Sequence, residues 1–309
     1  MPRADKHIYL LIGMFTLIRL IVAPFFGLGV DEAHYILYAK YLDWGYFDHP
    51  PLVGWVHTSF LNFLGINEFI ARLPASIIFA ATSYCAYVFI LRITSSIRIS
   101  LLAVLALNSS FMLNALGVML LPDSLLLLLI FPFIFVTEKI ERENIFLDFI
   151  LLGIVLVFMG RAKYTSILLV PPPIIYFLLK KRVDIIFSYP MVLAALIALL
   201  FITPVIVWNI NHDFISFRYQ DSHVFGSFQP NISNLIESMA FQFGAYSPFL
   251  FILAFYGFLK SIRTQNDYIR LSVLFGGTIM LVFLFTFLSE KILPHWTSIF
   301  YLLFIPVGT

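Results

Sequence analysis

Charge is what this sequence has least of. Only 12% of its 309 residues are Asp, Glu, Lys or Arg, against 61% hydrophobic, and the mean hydropathy is +0.96. A soluble fold of this length needs far more polar surface to cover its core, so a soluble domain is excluded and the chain belongs in a bilayer. Cysteine is nearly missing. Cys85 stands alone in an apolar stretch, which leaves no intrachain disulfide and no thiolate metal site. The 19 basic residues outnumber the 17 acidic ones by too little, and lie in clusters too short, to make a nucleic-acid surface. There is no dinucleotide glycine loop and no nucleotide-sugar acid motif. Nor is there an internal repeat of the kind that gives secondary transporters two related halves. A small-residue cleavage pattern is also missing from residues 8–26, which therefore read as a retained first span rather than a signal peptide.

What is present is a series of long apolar runs. A helix needs roughly 20 apolar residues to cross the hydrocarbon core, and on that basis about ten spans are expected. They are residues 8–26, 69–91, 99–116, 123–136, 146–159, 164–179, 185–208, 246–259, 271–288 and a last one beginning near Ser298. Several are short. Backbone polar groups in lipid must be satisfied within each segment, so the expectation is an all-α polytopic bundle forming a single domain over residues 1–309. The sequence stops inside an apolar run, 304–309, with no polar tail, which leads us to expect a C-terminally incomplete chain.

Lysine and arginine in short loops set the orientation. Arg3 and Lys6 precede the first span. Arg92 and Arg98, Lys139 and Arg142, Lys180 to Arg182, and Lys260, Arg263 and Arg270 follow the even-numbered spans. If the spans alternate, all of these fall on one side, and the positive-inside rule makes it cytoplasmic, with the amino terminus inside. The other side receives two long loops, 27–68 and 209–245, and short turns around Asp123, Arg161 to Lys163, and Glu290 to His295. Those segments hold acids, histidines, tryptophans and isolated cations.

The first long loop reads Val30-Asp31-Glu32-Ala33-His34-Tyr35, then Tyr41-Leu42-Asp43-Trp44-Gly45-Tyr46-Phe47-Asp48-His49-Pro50-Pro51. Residues 33–41 have helical spacing and predict an interfacial helix, with Asp31 and Glu32 at its amino end, where the dipole favours carboxylates. A charged cap would need nothing more. The string resembles, however, the start of the GT-C membrane glycosyltransferases that use polyprenyl-phosphate sugars, among them the protein O-mannosyltransferases and the aminoarabinose transferases of lipid A. The likeness continues in order through Ala71-Arg72-Leu73-Pro74, Leu121-Pro122-Asp123, Ala162-Lys163-Tyr164-Thr165, Trp208-Asn209, His212 and Ser216-Phe217-Arg218-Tyr219-Gln220.

The resemblance implies a GT-C-like bundle and an acid of the first outer loop as catalytic base, matched in position by Asp31. Such a reaction joins an acceptor hydroxyl to the anomeric carbon of a sugar whose leaving group is a lipid phosphate. A carboxylate takes the hydroxyl proton and cations hold the departing phosphate. Glu32 would orient the site or a neighbouring cation. Lys163, Arg161, Arg72 and Arg218 are the phosphate-binding candidates, although Arg161 and Lys163 would also suit headgroup snorkelling. Asp123 is either an N-cap or a second active-site acid. Asp48 and His49, stiffened by Pro50-Pro51, with Tyr46 and His212, are substrate-binding candidates. With His34, His223 and His295 on the same side, a divalent metal ion is open, since no ligand spacing identifies one. The 209–245 loop suits a cover over the sugar.

The expected partners are a polyprenyl-phosphate sugar donor, a lipid or glycan acceptor and membrane lipids, at the outer face of a bacterial inner membrane. A lipid acceptor such as lipid A is favoured over a protein serine. A multispan transporter is the rival reading. It is disfavoured because the polar residues fall in loops and at helix ends rather than at mid-membrane. An inactive scaffold is the third.

Overall fold

The structure is a computed structural model describing residues 6–224, 230–289 and 293–309, with side chains of 222–224 left aside. Among the described residues it is helical without a strand.

The first span, α1 (Lys6–Val22), ends in a 3-10 turn at Ala23–Phe25. The first long loop then folds as two helices, α2 (Val30–Lys40) and α3 (Leu52–Leu64). Only α2 was expected; α3 has 13 residues, too few to signal a span, and starts directly behind the proline pair. Helix α4 (Glu68–Thr94) begins where the Asn67 side chain accepts the Ile70 N–H and stops where Ser95 turns left-handed. The expected span at 99–116 is broken instead into α5 (Ile97–Asn108) and α6 (Phe111–Val118), bent by 76°. Ser110 causes the break by capping α6 with its hydroxyl on the Leu113 N–H.

Helix α7 (Pro122–Glu143) opens on a proline, which lacks only a donor that a first turn would leave unpaired, and α8 (Phe146–Ala162) follows it. A 3-10 segment, Tyr164–Leu169, then α9 (Pro171–Leu179) and the single-turn α10 (Val183–Ile186) lead into α11 (Tyr189–Asn211). The second long loop is also helical, as α12 (Ile215–Val224) and α13 (Ile232–Ala245), the latter bent by 108° on α14 (Pro248–Ser261). Finally come α15 (Asp267–Phe287), a turn at Pro294–Thr297 and α16 (Ser298–Gly308).

Helix α16 is buried from Ser298 through Pro306 and packs on α14, α15, α5 and α7, which explains why its sequence is apolar on every side. Gly257 lets α14 approach it: a Cβ there would lie 2.5 Å from the Phe304 carbonyl. Conversely α1 and α11 turn apolar side chains such as Leu10, Leu199 and Leu200 outward. This is a multi-pass membrane protein. Four stretches, Lys6–Phe25, Glu68–Thr94, Tyr189–Asn211 and Asp267–Phe287, are each long and apolar enough to cross a bilayer, and the two bent pairs bring that number to at most six. The remaining expected runs do form helices. Of these, α8, α9 and α16 are shorter than a full crossing, and α7 carries charge at both ends.

The bundle has two chemically distinct ends, marked on α4 by Arg72 near its start and Arg92 near its finish. Around Arg92 the basic short loops interlock: Tyr268 joins Arg92 to Glu138, Lys139 pairs with Asp148 and Lys180 with Asp267. Around Arg72 the two long loops meet. The Ser216 hydroxyl donates to the Tyr46 carbonyl and the Gln220 amide to that of Asp48, so α12 lies over the first loop.

Candidate active site

The first loop is built on Tyr38 and Tyr46, whose rings stack at 3.6 Å. The Tyr46 hydroxyl accepts the Asp43 N–H and lies 2.9 and 3.0 Å from the carbonyls of Tyr38 and Tyr41. Tyr46 is therefore a post of the loop, with its polar atom occupied, and its side chain also lines the cleft beside His212. Gly45 is needed beside it, because a Cβ would lie 2.6 Å from the Trp208 ring.

This scaffold holds Asp48. Its Oδ1 accepts the Tyr38 hydroxyl and lies 3.3 Å from His34 Nε2, while Oδ2 is 3.0 Å from His49 Nδ1. Burial alone would push the Asp48 carboxyl up, but the hydrogen bonds from His49 and Tyr38 and the neighbouring imidazoles outweigh it and hold the group below the usual carboxylate range. His34 and Tyr38 share one face of α2 at i and i+4, a spacing that was visible in the sequence.

Glu32 and Arg72 form a buried two-pronged ion pair, Nε to Oε1 and Nη2 to Oε2 both at 2.7 Å, each side chain 4% exposed. The remaining guanidinium donors go to the carbonyls of Ala23, Phe26 and Gly27. With all five N–H groups engaged, Arg72 has none for a phosphate. Glu32 likewise spends Oε2 on the Gly29 N–H at the start of α2. In this structure Arg72 is a strut and Glu32 is its counter-ion, the neighbouring cation being one of the two partners the sequence left open for Glu32. Together they tie the 3-10 turn and α2 to α4.

Asp123, in the first turn of α7, meets Lys163 at the junction of α8 with the 3-10 segment. Lys163 Nζ donates to both carboxylate oxygens at 2.8 Å, and the pair is buried. The two candidates, 40 residues apart, are one unit. His295 Nε2 lies 3.8 Å from Asp123, and Trp296 sets its ring 5.4 Å from the ammonium. Burial pushes the His295 imidazole down, against the pull of the Asp123 charge. Trp296 carried no signal in the sequence beyond its place next to His295.

Asp31 is different from all of these. It is exposed at the amino end of α2, and no hydrogen bond or ion pair occupies its carboxylate among the described residues. Its field nevertheless reaches the other groups. The Tyr35 hydroxyl is pushed up first by burial and then by the charges of Asp48, Asp123 and Asp31, and the Asp31 charge is felt again at Tyr219 and His295. One polar region therefore gathers Asp31, Asp48, His49, Asp123, Lys163 and His295.

The other candidates stand elsewhere. Arg161 donates to the Phe201 carbonyl and lies 5.5 and 5.1 Å from the rings of Trp44 and Trp55. His212 stacks on Trp208 at 3.9 Å and lines an open cleft of about 600 Å³ with Tyr41, Asp43 and Asp213. Arg218 is exposed on α12. Among the described residues no three His, Cys, Asp or Glu side chains converge to hold a metal ion, and the His223 side chain and Glu290 lie outside them. Sequence reasoning overlooked Arg19, although an arginine inside an apolar span is itself a signal.

The profile of the dolichyl-phosphate-mannose-protein mannosyltransferase family matches residues 48–208. The lipid A galacturonosyltransferase RgtD of Rhizobium johnstonii is 27% identical over 267 residues, 82% of this chain and 54% of that protein. The chain thus spans about half the length of this curated relative. ArnT from Cupriavidus metallidurans shares the fold. Its structure bound to undecaprenyl phosphate superposes with a TM-score of 0.72 at 14% identity, over 99% of this chain and 60% of that one. Its apo structure gives 0.66 at 16%, over 97% and 58%.

Proposed function

The chain belongs to the dolichyl-phosphate-mannose-protein mannosyltransferase family, and from that premise we propose that it transfers a sugar from a polyprenyl-phosphate donor to a hydroxyl of a lipid, lipid A-like, or glycan acceptor, with inversion. The observation that carries this reading is Asp31, whose carboxylate is open among the described residues while the neighbouring Asp48, Asp123 and Lys163 are paired. As the acceptor oxygen attacks the anomeric carbon, Asp31 takes the hydroxyl proton, and the bond from that carbon to the lipid-phosphate oxygen breaks. A phosphate leaves without a protein acid, so one displacement suffices.

Lys163 faces the departing phosphate. An ammonium has three donors; two lie on Asp123, leaving one for a phosphate oxygen. His49 adds a second donor when protonated. An apolar groove of about 360 Å³ between α3, α4, α7 and α8, lined by Leu52, Phe60, Ile77 and Leu125, suits the isoprenoid tail and opens beside the first turns of α7. The names of the relatives agree with this division: undecaprenyl phosphate in ArnT for the donor class, lipid A in RgtD for the acceptor. The positive-inside pattern supports a site on the outer face, in keeping with a bacterial inner membrane.

Mass spectrometry of lipids and surface glycans from cells with and without the gene tests the function, and a missing hexosyl or pentosyl group on a lipid is the expected result. Loss from protein serines only would move the acceptor to protein. No change in any glycoconjugate would overturn the reading. Lys163→Ala should raise the donor KM about tenfold to a hundredfold, the scale of a charge-assisted hydrogen bond; an unchanged KM would remove Lys163 from the phosphate.

A further inference from the structure

One buried charge takes no part in the chemistry described so far. Arg19, in the last turn of α1, is 2% exposed and has no acidic partner among the described residues. Its Nη2 donates to Asn108 Oδ1 at 2.5 Å and to Asn114 Oδ1 at 2.8 Å, and Nε donates to the same Asn114 oxygen at 3.1 Å. The Phe79 ring lies 4.5 Å from the guanidinium. An unneutralised cation in an apolar span is costly, so what it holds is informative.

Asn108 is the last residue of α5 and Asn114 lies in α6, so Arg19 grips both sides of the 76° break. The asparagines complete the joint themselves, with Asn114 Nδ2 donating to the carbonyls of Asn108 and Ser110 at 2.6 and 2.8 Å. Helix α6 passes Arg19 at Gly117, where a Cβ would lie 2.8 Å from Nε. The same short helix then hands on to the site. Ser76 donates to the Gly117 carbonyl, and the Ser124 hydroxyl lies 2.8 and 3.1 Å from the carbonyls of Leu116 and Met119. Ser124 is the neighbour of Asp123.

We propose that Arg19 is a positioning residue: it fixes the α5–α6 break and, through α6 and Ser124, sets where the Asp123–Lys163 pair stands. Its effect on turnover rests on the transferase reading above. The full chain in proteoliposomes supplies the test. Arg19→Met should lower kcat on the order of tenfold to a hundredfold, the cost of a small displacement of reacting groups, with the donor KM and melting temperature close to the parent's. Arg19→Lys should regain part of the rate, since an ammonium can still reach both asparagines.

Turnover at the parent rate in Arg19→Met, or a loss confined to KM, overturns the proposal. Should Arg19→Met not fold, Gly117→Ala decides by the same readouts, because it keeps the cation and both asparagines while pushing on the contact between them. If the parent itself transfers no sugar, the transferase reading fails separately. The positioning claim is then read from spin labels at positions 111 and 167 in a Cys85→Ala background. The distance distribution should broaden in Arg19→Met, and an unchanged one contradicts the proposal.

Discussion

The two ends of the bundle use charge in opposite ways. At the Arg92 end, ion pairs such as Lys180 with Asp267 and Lys139 with Glu143 are partly exposed, with side chains between 24% and 41% accessible. Pairs of that kind contribute roughly 0–1 kcal/mol each and are screened by salt. At the Arg72 end, Glu32–Arg72 and Asp123–Lys163 are at most 7% exposed. Removing one partner there leaves an uncompensated buried charge, which costs about 3–5 kcal/mol. Near them Asp31 is exposed and, among the described residues, unpaired. The difference separates structure from chemistry: a carboxylate already saturated by an arginine is a brace, whereas an open one beside an organised cluster can accept a proton.

Breaking the contrast at its strongest point should give the largest effect. Asp31→Asn is expected to lower turnover by about 10²–10⁴-fold, the usual contribution of a general base, in a transfer assay with purified donor. Arg72→Met should instead destabilise the fold by about 3–5 kcal/mol, seen in thermal unfolding in detergent, and Arg72→Lys should recover little, because a point charge cannot reach Glu32 and three carbonyls together.

His57, buried on α3, sharpens the same contrast through pH. Burial pushes its imidazole down to about 4, from an ordinary value of 6.5. Between those values the unfolded chain binds a proton that the folded chain refuses. Stability is therefore full above the ordinary value and falls as the pH drops, by roughly 3 kcal/mol at pH 4. Melting curves from pH 7.5 to 4 should show this loss, and His57→Leu should flatten it. The smallest effect belongs to the opposite end: Lys180→Ala should cost below about 1 kcal/mol and leave turnover unchanged, measured by the same unfolding and transfer assays.

Much of this arrangement was legible in the sequence. Apolar runs located the helices, because lipid forces each segment to satisfy its own backbone. The short basic loops separated the ends. Lys163 stood out as a cation on the side that should be poor in cations, and Asp31 and Asp123 through the family resemblance. Pairing was not legible, since nothing in a linear sequence says that Lys163 closes on Asp123 or that Arg72 closes on Glu32. That choice depends on how α2, α4, α7 and α8 pack. The surroundings of Arg161 were hidden for the same reason: its neighbours Trp44, Trp55 and the Phe201 carbonyl come from distant segments. The break in the third span was written in Ser109-Ser110, but a hydropathy run reads through two serines.

The most direct test compares the two adjacent acids. Asp31→Asn and Glu32→Gln, reconstituted side by side, should separate two readouts. Asp31→Asn should keep the parent melting temperature and lose sugar transfer, while Glu32→Gln should lose stability first, with transfer falling only as folded protein falls. Transfer at the parent rate by folded Asp31→Asn, with Glu32→Gln stable but inactive, would contradict the account.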